Sequence, residues 1–157
     1  MRALIEELKA SRIENDELVI ETQTTTETYD SKYLVAALLV YVAKGGGQIS
    51  SEETSEMLRL VTSHFDLPSA QSLELLTKAL SDIAENPDFE NLLRELSAVL
   101  SEDDKAEVTL MMLKVVAADG RRDIQELEKF QVAVKIIGIS AETLHGAYDR
   151  YFAETQV

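Results

Sequence analysis

An apolar segment, a tight turn and an amphipathic segment follow one another twice in this chain, and that repetition limits what it can fold into. LVAALLVYV (34–42) runs into AKGGGQISSEE (43–53), and VTLMMLKVV (108–116) runs into AADGRRDIQELE (117–128). The correspondence continues at LPSAQSL (67–73) and ISAETL (139–144). A duplicated helix–turn–helix–turn–helix unit accounts for all three echoes. The two apolar segments are hydrophobic on nearly every side, so both should be surrounded by protein.

Helical periodicity extends over most of the chain. Residues 32–44 form the first apolar helix, stopped by Gly45 to Gly47. Residues 51–65 follow, with Met57, Leu58, Val61 and Phe65 on one face and a Ser50/Glu53 capping-box pattern at the start. Asp66-Leu67-Pro68 breaks the chain before 69–85, where Leu73, Leu76, Leu80 and Ile83 have heptad-like spacing. Asn86-Pro87 suggests a cap and a first-turn proline for a helix within 86–100. Ser101 opens 102–118, and residues 124–137 and 141–152 complete the series. Ahead of this body, residues 2–12 suggest a short helix with Leu4, Ile5 and Leu8 on one face. Glu14 to Asp30 suggests a polar, threonine-rich connector, with Leu18 to Ile20 pinned on the core. The expected fold is therefore all-α: a bundle of seven to eight helices built from a duplicated three-helix unit. Residues 1–31 form an N-terminal helix and connector, and 32–157 form the helical domain. The connections are short, so neighbouring helices should be antiparallel, with a pseudo-two-fold axis relating the copies.

Composition narrows the function. There is no cysteine, which removes disulfides, thiolate metal sites and cysteine nucleophiles. The net charge of −14 disfavours nucleic acid and anionic membrane, both of which need clustered lysine and arginine. Residues 85–128 carry twelve acids and five bases, half of the whole excess. Such a surface suits solubility, a cation or a basic protein partner. The longest apolar run has ten residues, against the roughly 20 that span a bilayer. Acids interrupt the apolar residues of MRALIEELKASR, which argues against a signal peptide. A cytoplasmic protein is expected.

The second turn carries the one constellation with a chemical argument. Asp119 and Gly120 stand where one helix ends; Asp123 and Glu126 stand where the next begins. Carboxylates converging on a tight turn offer oxygen ligands to calcium, magnesium or manganese. Helix capping explains part of the same pattern: Asp123 and Glu126 have N-cap spacing, and Gly120 suits a left-handed C-cap. Arg121 and Arg122 could neutralise Asp119 without a metal. An EF-hand loop is excluded, because its obligatory glycine would fall at Ile124. No catalytic residue is assigned. His64 and His145 lie at helix ends with no nucleophile in register, and GGG at 45–47 lacks the lysine and strand of a phosphate-binding loop. The glycines suggest a flexible break between helices. An enzyme is not expected.

The AADG-x5-E pattern at 117–126, between an apolar and an amphipathic helix, resembles the tellurite-resistance TerB family and its TerB-like relatives. AKGGGQIS-SEE resembles that family's first copy of the turn, and the likeness spans residues 32–153. It implies a non-enzymatic all-helical bundle built on a duplicated unit, acting in bacterial responses to tellurite and other chemical stress. Metal binding proposed for the family's acids would fall here on Asp119, Glu126 and Glu53. The first copy departs from the pattern: Gly46 stands where aspartate would precede glycine, which removes one ligand of a two-copy site.

Overall fold

In the computed structural model, residues 8–14, 17–22, 26–118 and 124–155 are described. From Ser31 onward the described chain is helical, in seven α-helices: α1 (Ser31–Ala43), α2 (Ser51–Phe65), α3 (Ser69–Glu85), α4 (Phe89–Leu96), α5 (Glu102–Ala117), α6 (Ile124–Ile136) and α7 (Ala141–Thr155). The expected helical bundle is present, with element boundaries within a few residues of those inferred from periodicity.

α1 is the axis of the structure. Every residue from Tyr33 to Ala43 is buried, and the helix packs against α2, α3, α4, α5 and α6. α5 is the second core helix; its first turn, Glu102 and Asp103, is exposed, whereas Val108 to Leu113 are buried. α5 packs on α1 and also supports α2, α6 and α7. The two apolar segments of the sequence thus lie against each other at the centre.

Helix starts follow side-chain chemistry. The Asp30 carboxylate accepts the Tyr33 amide at 3.0 Å. Ser50 and Glu53 form a complete capping box, and Ser101 and Asp104 form another. These contacts satisfy amides that a helix leaves without internal partners. α2 ends on Asp66 in the left-handed region (φ 52°), and α6 ends before Gly138 (φ 71°).

Three expectations are corrected. The helix over 2–12 does not extend through its described part: Leu8–Glu14 is strand β1, followed by β2 (Glu17–Thr22) and β3 (Thr26–Tyr29). Together they form an antiparallel meander in the order β1-β2-β3, with Glu14 paired to Glu17 and Leu18 to Tyr29. Threonine, valine and isoleucine favour the pleated conformation, and cross-strand pairing outweighs one short apolar face. β2 packs on α4. Secondly, Asn86 does not cap α4. Its side-chain oxygen accepts the Asp88 amide at 2.9 Å, a local turn, and α4 starts at Phe89. Thirdly, of the four heptad-spaced residues of α3, Leu76 is buried but Leu73 and Leu80 are 52% and 40% exposed. The buried line of α3 runs instead through Ser72, Leu76 and Ala79.

Candidate functional site

The first turn is built by backbone economy. α1 passes into a short 3-10 turn, Lys44–Gly46, and Gly47 then takes φ 94°. Only Gly47 needs glycine's conformational freedom. Gly45 is glycine for a different reason: a Cβ there would lie 2.6 Å from Lys129 Cγ, 2.8 Å from the Gln125 carbonyl oxygen and 3.1 Å from Glu126 Cα. The first turn of α6 rests directly on the backbone of the α1–α2 turn. The glycine run is thus a packing surface as well as the break expected from the sequence. The surplus of glycines over what one sharp turn requires was the signal for it.

That contact positions Glu126, which is 3% exposed. Glu53, on the first turn of α2, is 1% exposed. Its Oε1 accepts the Ser50 amide at 3.0 Å, while the Ser50 hydroxyl accepts the Glu53 amide at 3.1 Å. Its Oε2 is buried and has no hydrogen-bond partner among the described residues. Capping alone does not demand this burial. The same box at Ser101 and Asp104, with bonds of 3.2 and 3.1 Å, forms at the surface. A buried carboxylate oxygen with no donor costs about 1–3 kcal/mol or more, so a counter-charge would fit there.

Asp119 and Asp123, with Gly120, Arg121 and Arg122, lie outside the described residues. Among the described residues, no group of three histidine, aspartate or glutamate side chains stands close enough to hold a metal ion. The expected four-residue set is therefore represented by Glu53 and Glu126 alone. Both histidines lie at the surface. His64 meets Phe65 edge-on at 4.6 Å, and His145 lies 3.5 Å from Asp149 with both side chains mostly exposed.

Beside the turn is a polar connection that periodicity did not reveal. Tyr41 is buried in α1, and its hydroxyl donates to Glu90 Oε2 at 2.6 Å. Burial first, then the Glu90 bond and charge, hold the phenol in its neutral form well above the usual tyrosine range. Lys129 of α6 places its ammonium 5.0 Å from the same ring. Tyr33, two turns earlier, repeats the arrangement: its hydroxyl donates to Asp82 at 2.5 Å, and Lys78 lies 5.1 Å above its ring. A phenol in a hydrocarbon-rich helix must find a polar partner, and that need was the available clue.

Away from the turns, α2, α5 and α7 enclose a hollow of about 350 Å³. Its charges are matched: Arg59 holds Glu56 through two bonds of 2.6 and 2.8 Å, and Lys114 meets Glu154 at 3.4 Å. Nearby, Arg150 pairs with Glu107 at 2.7 Å.

A family model described as "Tellurite resistance protein TerB" matches residues 32–149. The chain belongs to the TerB family. The match starts at the second residue of α1 and ends within α7, so it takes in both acidic turns and the helices they join. The β1–β3 arm precedes it. Comparisons with curated proteins and with solved structures returned no match. Among the described residues, no helix of this TerB member is long and apolar enough to cross a membrane.

Proposed function

We propose that this TerB-family chain is a non-enzymatic, acidic stress-response module that binds a divalent cation at its turns and acts through a protein partner in the cytoplasm. The observation that carries the cation reading is Glu53: one carboxylate oxygen serves the helix cap, and the other is buried without a donor among the described residues. Glu126 supports it, being a second buried carboxylate on the first turn of a helix that follows a tight connection. Their equivalent places also favour a duplicated unit. Glu53 and Glu126, joined by Asp119 and Asp123 from the second turn, would hold the ion. Oxygen donors of this kind suit calcium, magnesium or manganese. The ion would neutralise buried carboxylates and tie the two turns together.

The test is a thermal melt with each metal. At a hundred times its dissociation constant, a ligand stabilises the fold by about 2.7 kcal/mol, or roughly 5–10 °C for a chain of this size. Glu53→Gln should abolish the shift while preserving the cap, since glutamine also closes a capping box. Asp119→Ala should abolish it as well. A wild-type protein that none of the three metals stabilises would end the cation reading.

A second reading, an ion-free scaffold for a basic protein, is favoured by the exposed acids Glu85, Asp88, Glu102 and Asp103. Partner capture that fades with added salt but ignores chelator would select it, because exposed charges are screened beyond about 10 Å at 0.1 M.

A further inference from the structure

Lys129 is the cation nearest in sequence to the buried Glu126, yet its side chain goes elsewhere. Of the residues three or four positions from Lys129 on α6 (Gln125, Glu126, Val132 and Ala133), only Glu126 is acidic. Opposite charges at that helical spacing ordinarily pair. Such a pair would neutralise the carboxylate without any ion from solution. It does not form: Lys129 makes no ion pair among the described residues, and its ammonium lies 5.0 Å from the centroid of the Tyr41 ring.

The backbone of the first turn opens that path. Tyr41 and Gly45 are four residues apart, about one helical turn, and both meet α6 through Lys129. Lys129 Cγ passes 2.6 Å from the point a Gly45 Cβ would occupy. The stem therefore lies across the bare glycine and carries its head back to the ring. Glu90 fixes that ring from the other end, its carboxylate accepting the Tyr41 hydroxyl at 2.6 Å. An aromatic face attracts an ammonium, more strongly where water is kept away, and Tyr41 is buried.

We propose that Tyr41, fixed by Glu90, is a positioning residue that parks the Lys129 ammonium off Glu126 and so leaves that carboxylate to a divalent cation. The use of the freed carboxylate rests on the cation reading above; the parking itself belongs to the ion-free fold. Without the ring, the ammonium returns to Glu126 and competes with the cation. If it pairs there in about nine molecules of ten, the apparent cation affinity falls about tenfold.

The test has one arm without metal and one with it. In the ion-free wild type, NMR should show the Lys129 ε-methylene protons shifted upfield by the Tyr41 ring. A double-mutant cycle of Glu126→Gln and Lys129→Met, read by urea unfolding, should give a coupling below about twofold in the unfolding constant, the scatter of independent sites. In a Tyr41→Leu background the same cycle should exceed that. In calorimetric titrations with calcium, magnesium and manganese, Lys129→Met should bind at least as tightly as wild type, because it removes a positive charge. Tyr41→Phe keeps the ring face and should keep the affinity. Tyr41→Leu should bind about tenfold more weakly, and adding Lys129→Met to it should restore the wild-type value. A loss of packing at Tyr41 would not be rescued in that way. Unshielded Lys129 protons in the wild type, a Glu126–Lys129 coupling already present there, or failure of Lys129→Met to rescue Tyr41→Leu would each overturn the proposal. The first two need no variant at Tyr41, so they decide the matter even if leucine there prevents folding. A wild type that binds none of the three metals would overturn the cation reading and the use given to the carboxylate, while the shielding and the coupling would still decide the parking.

Discussion

Replacing Gly45 by alanine tests how closely the two halves of the bundle are fitted. Gly45 has no positive φ, so alanine has no backbone penalty there. By reducing the freedom of the unfolded chain, the change would by itself stabilise the protein by about 0.4–1 kcal/mol. The surroundings reverse that sign. The new Cβ would lie 2.8 Å from the Gln125 carbonyl oxygen and 3.1 Å from Glu126 Cα, both backbone atoms. Carbon contacts are comfortable near 3.5 Å, so the first turn of α6 must retreat by roughly half an ångström. The third contact, Lys129 Cγ at 2.6 Å, can swing away. Doing so draws its ammonium off the Tyr41 ring, a contact worth about 0.5–1 kcal/mol. Overpacking of this kind costs about 1–3 kcal/mol, leaving a net loss of up to about 2.6 kcal/mol after the entropic gain. Gly146 is the control. It lies within α7, and nothing approaches its hypothetical Cβ within 4 Å. Gly146→Ala should stabilise by about 0.5–1 kcal/mol, the helix-interior difference between the two residues. Urea unfolding of both variants beside the wild type decides the matter. A Gly45→Ala protein with a midpoint raised as far as that of Gly146→Ala would refute the close approach of α6.

Other consequences are testable in the same way. Leu93 of α4 is fully buried, and Leu93→Ala should lower the unfolding free energy by about 2–5 kcal/mol. The folded protein holds the Tyr41 proton above its ordinary value, so this residue's contribution to stability should be complete below about pH 10 and decline above it, as the unfolded chain loses a proton the folded one keeps. Unfolding midpoints of wild type and Tyr41→Phe across that range would show a shallower alkaline decline in the variant. The Arg150–Glu107 pair is close to half exposed on both sides, and Glu107→Gln should cost less than about 1 kcal/mol, with the difference shrinking in salt.

Much of the fold could be read before any coordinates. An apolar run without a polar face, as in 34–42, has to be enclosed, and α1 is. The Ser50/Glu53 pair and Ser101 marked two helix starts because capping is a local interaction. What escaped was non-local. Leu4, Ile5 and Leu8 imitate one face of a helix, but the described part of that segment, residues 8–14, pairs as a strand with residues 17–22, and a pairing partner is not written in local periodicity. In α3, leucine spacing pointed to Leu73 and Leu80, whereas small residues, Ser72 and Ala79, allow the close approach to neighbouring helices. Patterns of large side chains do not register that contact. At the candidate site, the cap at Glu53 was legible but its burial was not, since burial depends on how the halves meet. Glu126 was singled out for its carboxylate; the support beneath it, Gly45, was taken for a break in the chain.

The enclosure of α1 bears on how separable the two echoing halves of the chain are. The echoing segments invite the idea of two modules, each able to exist alone. Yet a single rod supplies the apolar counterpart for helices on both sides of residue 86, and a fragment starting at α5 would present to water the faces that α5 and α6 lay against α1. The polypeptide should therefore melt as one cooperative unit, and pieces cut between its two echoing halves should recover structure only on being mixed.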